Sequence, residues 1–400
     1  MDFEEFANPP RKQTPWQGMS DQELAASIAQ RGGRVLIGIR EPGSTDGVSA
    51  RGQVFTQRST VLATDKTLRA VGLKIERVFD GLPIIVVKLP EGRLDVIRAL
   101  RAMPQVDYVE PDVYGGFDSE FVPWNIVRVQ GPAAWSMARG EGVKLLILDT
   151  GVGPHSDLQP AVQFRCIDQS EPVSDGIGHG TGVAGVAAAV ANGTDVLGLT
   201  YGVSLWSADV TVYQTANVSA AEVACAIDVA RVNGVFAVNI SFHLNQVSTP
   251  VNDAIAVGYY GGMFFAAAAG NNGYWSGAVD YPATLAEVVA VAAIDSTNAH
   301  APFSSYGAKV ELSAPGVAVV STAMPNASVY PANLTATLGT MDGTSVSSPH
   351  VAAAAALLKS RNASWTNVDI RTRLNATAQY LGDATLYGHG LLRVYNALVY

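Results

Sequence analysis

The sequence predicts an α/β protein: a mostly parallel sheet with helices on both faces, preceded by a small α+β domain. Two patterns predict it. After about residue 118, strand-like runs alternate with helical segments, and runs such as "VKLLILD" and "MFFAAAAG" are apolar throughout. Strands covered on both faces read this way. Before residue 118 the order is strand, helix, strand, strand, helix, strand, a split βαβ arrangement. Ligand sites in parallel sheets lie at the carboxyl ends of strands. Asp149, Ser241 and Asn271 fall at such ends.

The bulk properties agree with two domains. The chain has 400 residues, 48% of them hydrophobic and 15% charged, enough for a large core without general disorder. The formal charge of −9 argues against nucleic acid, which needs a basic face. Residues 1–117 hold 15 basic and 15 acidic residues, against 11 and 20 in 118–400, so a domain boundary is expected near residue 117. No apolar run is long enough to span a membrane. The first 30 residues carry Asp2, Glu4 and Glu5 and no apolar block, so no signal peptide is predicted in the sequence as read. Cys166 and Cys225 make no disulfide framework; two buried thiols are expected, with a single bridge as the alternative.

Residues 1–33 read as a polar leader with a helical patch at "SDQELAASIA". From Arg34 the expected elements are the strand "RVLIGIR", the helix "QVFTQRSTVLATDKTLRAVG" and the strands "LKIERVF" and "LPIIVVKL". The helix "RLDVIRALRAM" and the strand "VDYVEPD" follow. "VYGGFDSEF" reads as an exposed linker. Beyond it come the strand "VKLLILDTG", the helix "TGVAGVAAAVANG", the strand "SLWSADVTVY", the helix "SAAEVACAIDVARVNG" and the strand "VFAVNISF". The helix "VNDAIAVGYYGG" and the strands "MFFAAAAGN" and "VVAVAAID" complete the alternation. In "MDGTSVSSPHVAAAAALL" a proline is tolerated only in the first helical turn, so a buried helix is expected to begin near Ser345.

The chemistry lies in three short stretches. A serine hydroxyl is a poor nucleophile unless a base takes its proton and an acid orients that base. Ser345 in "GTSVSSPH", His179 in "GHGTG" and Asp149 in "LDTG" are of the right types. A serine at a helix N-terminus also has backbone N–H groups near a developing oxyanion, and Asn271 in "AAAAGNNG" adds a side-chain donor. Gly343 and Gly180 are expected to leave room for a substrate backbone. Each residue alone reads as a cap, a turn or a solvated side chain; together, in the order Asp, His, Ser, they read as a triad. His155, His300, His350 and His389 read as structural. A lipase-type hydrolase would need G-x-S-x-G and another residue order.

The chain from about residue 119 to 400 resembles the subtilisin family of serine proteases. The resemblance rests on "LLILDTG", "GHGTGVAG", "VNIS", "AAAAGNNG", "FSSYGAKVELSAPG" and "GTSVSSPHVA", in family order. It implies a subtilisin-like fold, with Asp149, His179 and Ser345 as the triad and Asn271 as oxyanion donor. It implies that Ser241 and Ala268, Ala269 and Gly270 line the pocket for the residue before the scissile bond. Residues 34–117 resemble the family's ferredoxin-like inhibitory propeptide, so a self-processing zymogen is implied, cut after Phe117 or Asp118. Protein or peptide substrates, its own propeptide as inhibitor, a monomer and a secreted enzyme follow from the resemblance. An intracellular enzyme stays open, because no signal peptide is read.

A calcium loop is implied by "VANGTDVLG". The match suggests side chains of Glu120, Asp157 and Asn192 and carbonyls of Val190, Thr194 and Val196, all hard oxygen donors; a plain Asn-Gly turn is the alternative. No organic cofactor is implied. Three positions depart from the family pattern. Gly182 stands where a second histidine is common, His243 where a glycine is common beside Ser241, and "YQTANVSA" in place of a glycine-rich edge. Either a substrate groove narrowed by His243 or a solvent-facing His243 that changes nothing is therefore expected, with a remodelled binding protein of weak or no peptidase activity as the alternative function.

Overall fold

The computed structural model describes residues 19–30, 33–39, 66–69, 73–78, 84–90, 93–112, 120–170, 172–212, 215–324 and 337–400. The chain divides into two compact units, Met1–Phe117 and Asp118–Tyr400.

Among the described residues, the first unit holds four antiparallel strands: β1 (Arg34–Ile39), β2 (Lys74–Val78), β3 (Ile84–Lys88) and β4 (Val106–Pro111). They are ordered β2-β3-β1-β4. The helices Asp21–Gln30 and Leu94–Ala102 bury Leu24, Ile28, Ile97 and Leu100 with Val35, Ile37, Ile85 and Val87. The helical patch expected in the leader thus shares the core of this unit. Of the helix expected over residues 53–72, a helical turn at 66–69 is described; the rest, like residues 113–119 of the linker, lies outside the described residues.

The second unit is built on seven parallel strands. They are β5 (Lys144–Asp149), β6 (Val162–Phe164), β7 (Ser204–Asp209), β8 (Ala237–Ile240), β9 (Phe264–Ala268), β10 (Val288–Ile294) and β11 (Val310–Pro315). Their order is β11-β10-β9-β8-β5-β7-β6. Successive residues of β5 serve opposite faces, as the two-residue period requires. Leu145 and Ile147 join one core with the helices His179–Ala188 and Thr344–Arg361. Leu146 and Leu148 join another with the helices Ala220–Val232 and Thr249–Tyr260. The strands β12 (Val319–Thr322) and β13 (Leu338–Met341) form a separate antiparallel pair.

Two expectations are corrected. Cys166 and Cys225 are bridged, with Cα atoms 5.9 Å apart. The bridge ties the chain just beyond β6 to the helix Ala220–Val232, and residues 59 apart in sequence gave no hint of that proximity. The serine helix begins at Thr344, near Ser345 as expected, but Pro349 falls in its second turn rather than the first. Pro349 has no N–H, so the carbonyl of Ser345 loses its helical donor. Ser241 Oγ replaces that donor, bonding Ser345 O at 2.6 Å. Among the described residues no helix is long and apolar enough to cross a membrane.

Candidate active site

Three sheet elements and two helix N-termini meet at the carboxyl edge of the sheet. Asp149 ends β5, and His179 opens the helix His179–Ala188. His179 Nδ1 donates to Asp149 Oδ1 at 2.7 Å, and the same oxygen accepts from Thr150 N at 2.8 Å. This fixes the imidazole with its proton on Nδ1 and leaves Nε2 as the acceptor. Gly180 does not make room for substrate: a Cβ there would collide with the carbonyl of Gly151 and come 3.1 Å from Asp149 Cβ. The glycine lets the histidine helix sit against the strand that carries the acid.

Asp175 holds this corner. It accepts from Thr150 Oγ1, Ile177 N and Gly178 N through one oxygen and from Thr181 N and Oγ1 through the other. Sequence reasoning missed it; its signal was an acid four residues before the histidine in "SDGIGHGTG". Partial burial disfavours charge on His179. The charge of Asp149, its hydrogen bond and the charge of Asp175 outweigh that, and the imidazole pKa lies above its ordinary value.

Ser345 is the second residue of its helix and is 9% exposed. Gly343 before it has φ +143°, a region that excludes most side chains. A Cβ on Gly343 would lie 3.0 Å from Ser345 Oγ and 3.5 Å from Asn271 Nδ2, so the two groups face one small space over the glycine. Asn271 Oδ1 accepts from Thr344 N at 3.0 Å and Thr344 Oγ1 at 3.1 Å, which aims Nδ2 toward that space. No hydrogen bond joins Ser345 Oγ to His179 among the described residues; such bonds commonly tighten only when substrate binds.

The predicted pocket residues are differently disposed. Ser241 is 5% exposed, accepts from Asn239 Nδ2 and is committed to Ser345 O. It still lines, with Asp149, His179, Thr211, Ala216, Val218 and Phe242 among others, a cavity of about 200 Å³. Ala268, Ala269 and Gly270 continue β9 to Asn271, and Gly270 N donates to Thr344 Oγ1 at 3.1 Å. His243 is exposed and is not part of that cavity wall. At the described ends of the segment that departs from the family pattern, Thr211 bridges Val218, and Val212 N donates to Asn217 O. Those backbone groups are thereby used internally.

The model of the subtilase family matches residues 140–390. The chain belongs to the subtilase family. This subtilase is 37% identical to the alkaline protease of Alkalihalobacillus alcalophilus over 323 residues, covering 80% of the chain and 81% of that protein. It is 39% identical to subtilisin Savinase of Lederbergia lenta over 275 residues, covering 68% of the chain and 97% of the relative. With subtilisin J of Geobacillus stearothermophilus it shares 32% over 367 residues, 88% and 93% of the two chains. A subtilase is a serine endopeptidase, and this one acts on protein or peptide substrates.

The residues read as calcium ligands come together on one side of this subtilase. Buried Asp157 accepts from Asn192 Nδ2, Thr194 Oγ1 and Val196 N, and Glu120 Oε1 accepts from Asn192 N and Gly193 N. Val190 N donates to the carbonyl of Asp157. Two acids and an amide from distant segments suit a hard cation, which the Asn192 amide could face only after turning its oxygen inward. His155, Asp157 and Asp195 also offer atoms within 4.8 Å of one another. His155 is not free to ligate: Nδ1 accepts from Asp157 N and Nε2 bonds the carbonyl of Thr337.

Proposed function

We propose that Ser345, His179 and Asp149 carry peptide-bond hydrolysis through an acyl-enzyme. Ser345 Oγ attacks the substrate carbonyl carbon while His179 Nε2 takes its proton. Asp149 holds the imidazole by Nδ1 and stabilises its cation. Asn271 Nδ2 and backbone N–H groups at the start of the serine helix receive the oxyanion. The imidazolium then protonates the leaving amine, and water, deprotonated by the same imidazole, hydrolyses the ester. The observation that carries this reading is the convergence of Ser345 Oγ and Asn271 Nδ2 over Gly343, with His179 already bonded to Asp149. Stoichiometric labelling of Ser345 by a fluorophosphonate, abolished in Ser345→Ala, tests it. An unlabelled serine in processed, folded protein would favour the binding-protein alternative.

The strand order β2-β3-β1-β4 supports reading residues 34–117 as a ferredoxin-like propeptide that templates and inhibits the catalytic domain 118–400. In that reading the zymogen cuts itself after Phe117 or Asp118. Calcium, held by side chains of Glu120, Asp157 and Asn192 and carbonyls of Val190, Thr194 and Val196, would stabilise the fold and take no part in the chemistry. The Cys166–Cys225 bridge favours export, since disulfides persist in oxidising compartments.

A further inference from the structure

We propose that Asp280 forms the floor of the pocket for the residue before the scissile bond and selects lysine or arginine there. This names the substrate class of the site above and rests on the peptidase reading of it. Gly270, one of the residues expected to line that pocket, donates to Thr344, the neighbour of Ser345, at 3.1 Å. Its φ is +111°, and a Cβ there would collide with Asp280 Oδ2. A carboxylate oxygen therefore lies directly against the wall, one residue from the oxyanion donor Asn271.

The carboxylate is held but not neutralised. Asp280 N donates to Ala269 O at 2.9 Å, and Asp280 Oδ1 accepts from Asn272 Nδ2 at 2.7 Å. Among the described residues, Oδ2 accepts no hydrogen bond and no lysine or arginine pairs with the group. The sequence has no lysine or arginine between Arg231 and Lys309. A half-buried carboxylate oxygen of this kind is best satisfied by a cationic donor. A lysine or arginine can pass its methylene stem over Ala268, which keeps a little exposed surface (7%), and bring its charged head to Oδ2. An acidic side chain would meet like charge. The excess of 20 acidic over 11 basic residues in 118–400 attracts cationic segments at longer range. The linker "VYGGFDSE" has no basic residue. Cleavage within one chain tolerates this, because the high effective concentration of a tethered bond offsets the missing contact of Phe117 or the like charge of Asp118. The selectivity is a property of substrates added in trans.

The full chain is purified, allowed to process and titrated with a fluorophosphonate. Quenched peptides that differ only in Lys, Arg, Gln, Leu or Glu before the scissile bond are then compared. The expected kcat/KM for Lys and Arg exceeds that for Gln by about 10- to 100-fold, the factor for a hydrogen bond to a charged group. Asp280→Asn removes the difference and Asp280→Glu retains it. Should Asp280→Asn fail to fold, the parent enzyme still decides. A peptide ending in argininal should inhibit it at least about tenfold more tightly than one ending in leucinal, by the same factor. Equal rates for Lys and Gln, or a preference that survives Asp280→Asn, overturn the assignment while leaving the peptidase standing. A titration that labels no serine, with no peptide cut, removes the peptidase reading and this inference with it.

Discussion

Asn271 Oδ1 accepts both donors of Thr344, its backbone N–H at 3.0 Å and its hydroxyl at 3.1 Å. An amide bound twice through its oxygen presents its nitrogen in one direction only, toward Ser345. Asn271→Ala should therefore keep the fold and lower kcat by roughly 10²–10³. Active-site titration followed by steady-state kinetics checks it; parental kcat in the variant would mean that the oxyanion is held elsewhere.

The charge of Asp149 and Asp175 raises the pKa of His179 despite burial. A general base must be neutral, so activity is present above that pKa and is lost as pH falls through it. The midpoint of kcat/KM should lie above the free-imidazole value of about 6.5. A profile flat to pH 4 would count against a histidine base.

Ser345→Ala should leave the chain uncut, whereas the parent should appear in a mass spectrum as two pieces divided after residue 117 or 118. An identical cut in Ser345→Ala would show that a foreign protease makes it.

Chelation should lower the thermal midpoint of the processed enzyme, since a ligand that binds only the folded state stabilises it by mass action. With calcium a hundredfold above its Kd the difference should be roughly 5–10 °C. Asn192→Ala should lose most of it. Equal melting with calcium and chelator would leave a simple turn at Asn192 and Gly193.

His350 is fully buried in the serine helix, with Nε2 accepting from Asn125 Nδ2 at 3.0 Å. Burial depresses its pKa to about 4, below the unfolded value of about 6.5. Between those values the unfolded chain binds more protons. The contribution is present in full above about pH 6.5 and is lost as pH falls to about 4, a change of about 3 kcal/mol. Urea unfolding across this range should show the slope in Ser345→Ala and a flatter one in Ser345→Ala/His350→Gln. Equal slopes would assign acid sensitivity to other groups.

The sheet was legible because its strands are apolar on both faces. "VKLLILD" and "MFFAAAAG" could belong to little else than a covered parallel sheet. Asp149, His179, Ser345 and Asn271 were legible because each sits at a turn where a strand ends or a helix begins. What depended on distant approach was not. The partner of Pro349 is a missing hydrogen bond that Ser241 fills from 108 positions away in the chain, and no local pattern encodes that. Asp280 lies nine residues from Asn271 in a stretch without periodicity, and it meets Gly270 only because Asp280 N returns to Ala269 O. Gly180 misled for the opposite reason: beside a histidine read as a base, a glycine invites a reading about substrate when backbone packing requires it.

The Cys166–Cys225 bridge has a consequence for lifetime. β6 is only three residues long and lies at the edge of the sheet, where opening costs least. An enzyme that cleaves extended chains attacks its own frayed edges as readily as foreign ones, at a rate set by how often they open. Closing a loop of 59 residues removes about 4 kcal/mol of chain entropy from the unfolded state in the polymer picture. The bridge therefore sets how long a concentrated solution survives its own activity, and a mild reductant should hasten self-digestion while leaving the initial rate on a small peptide unchanged.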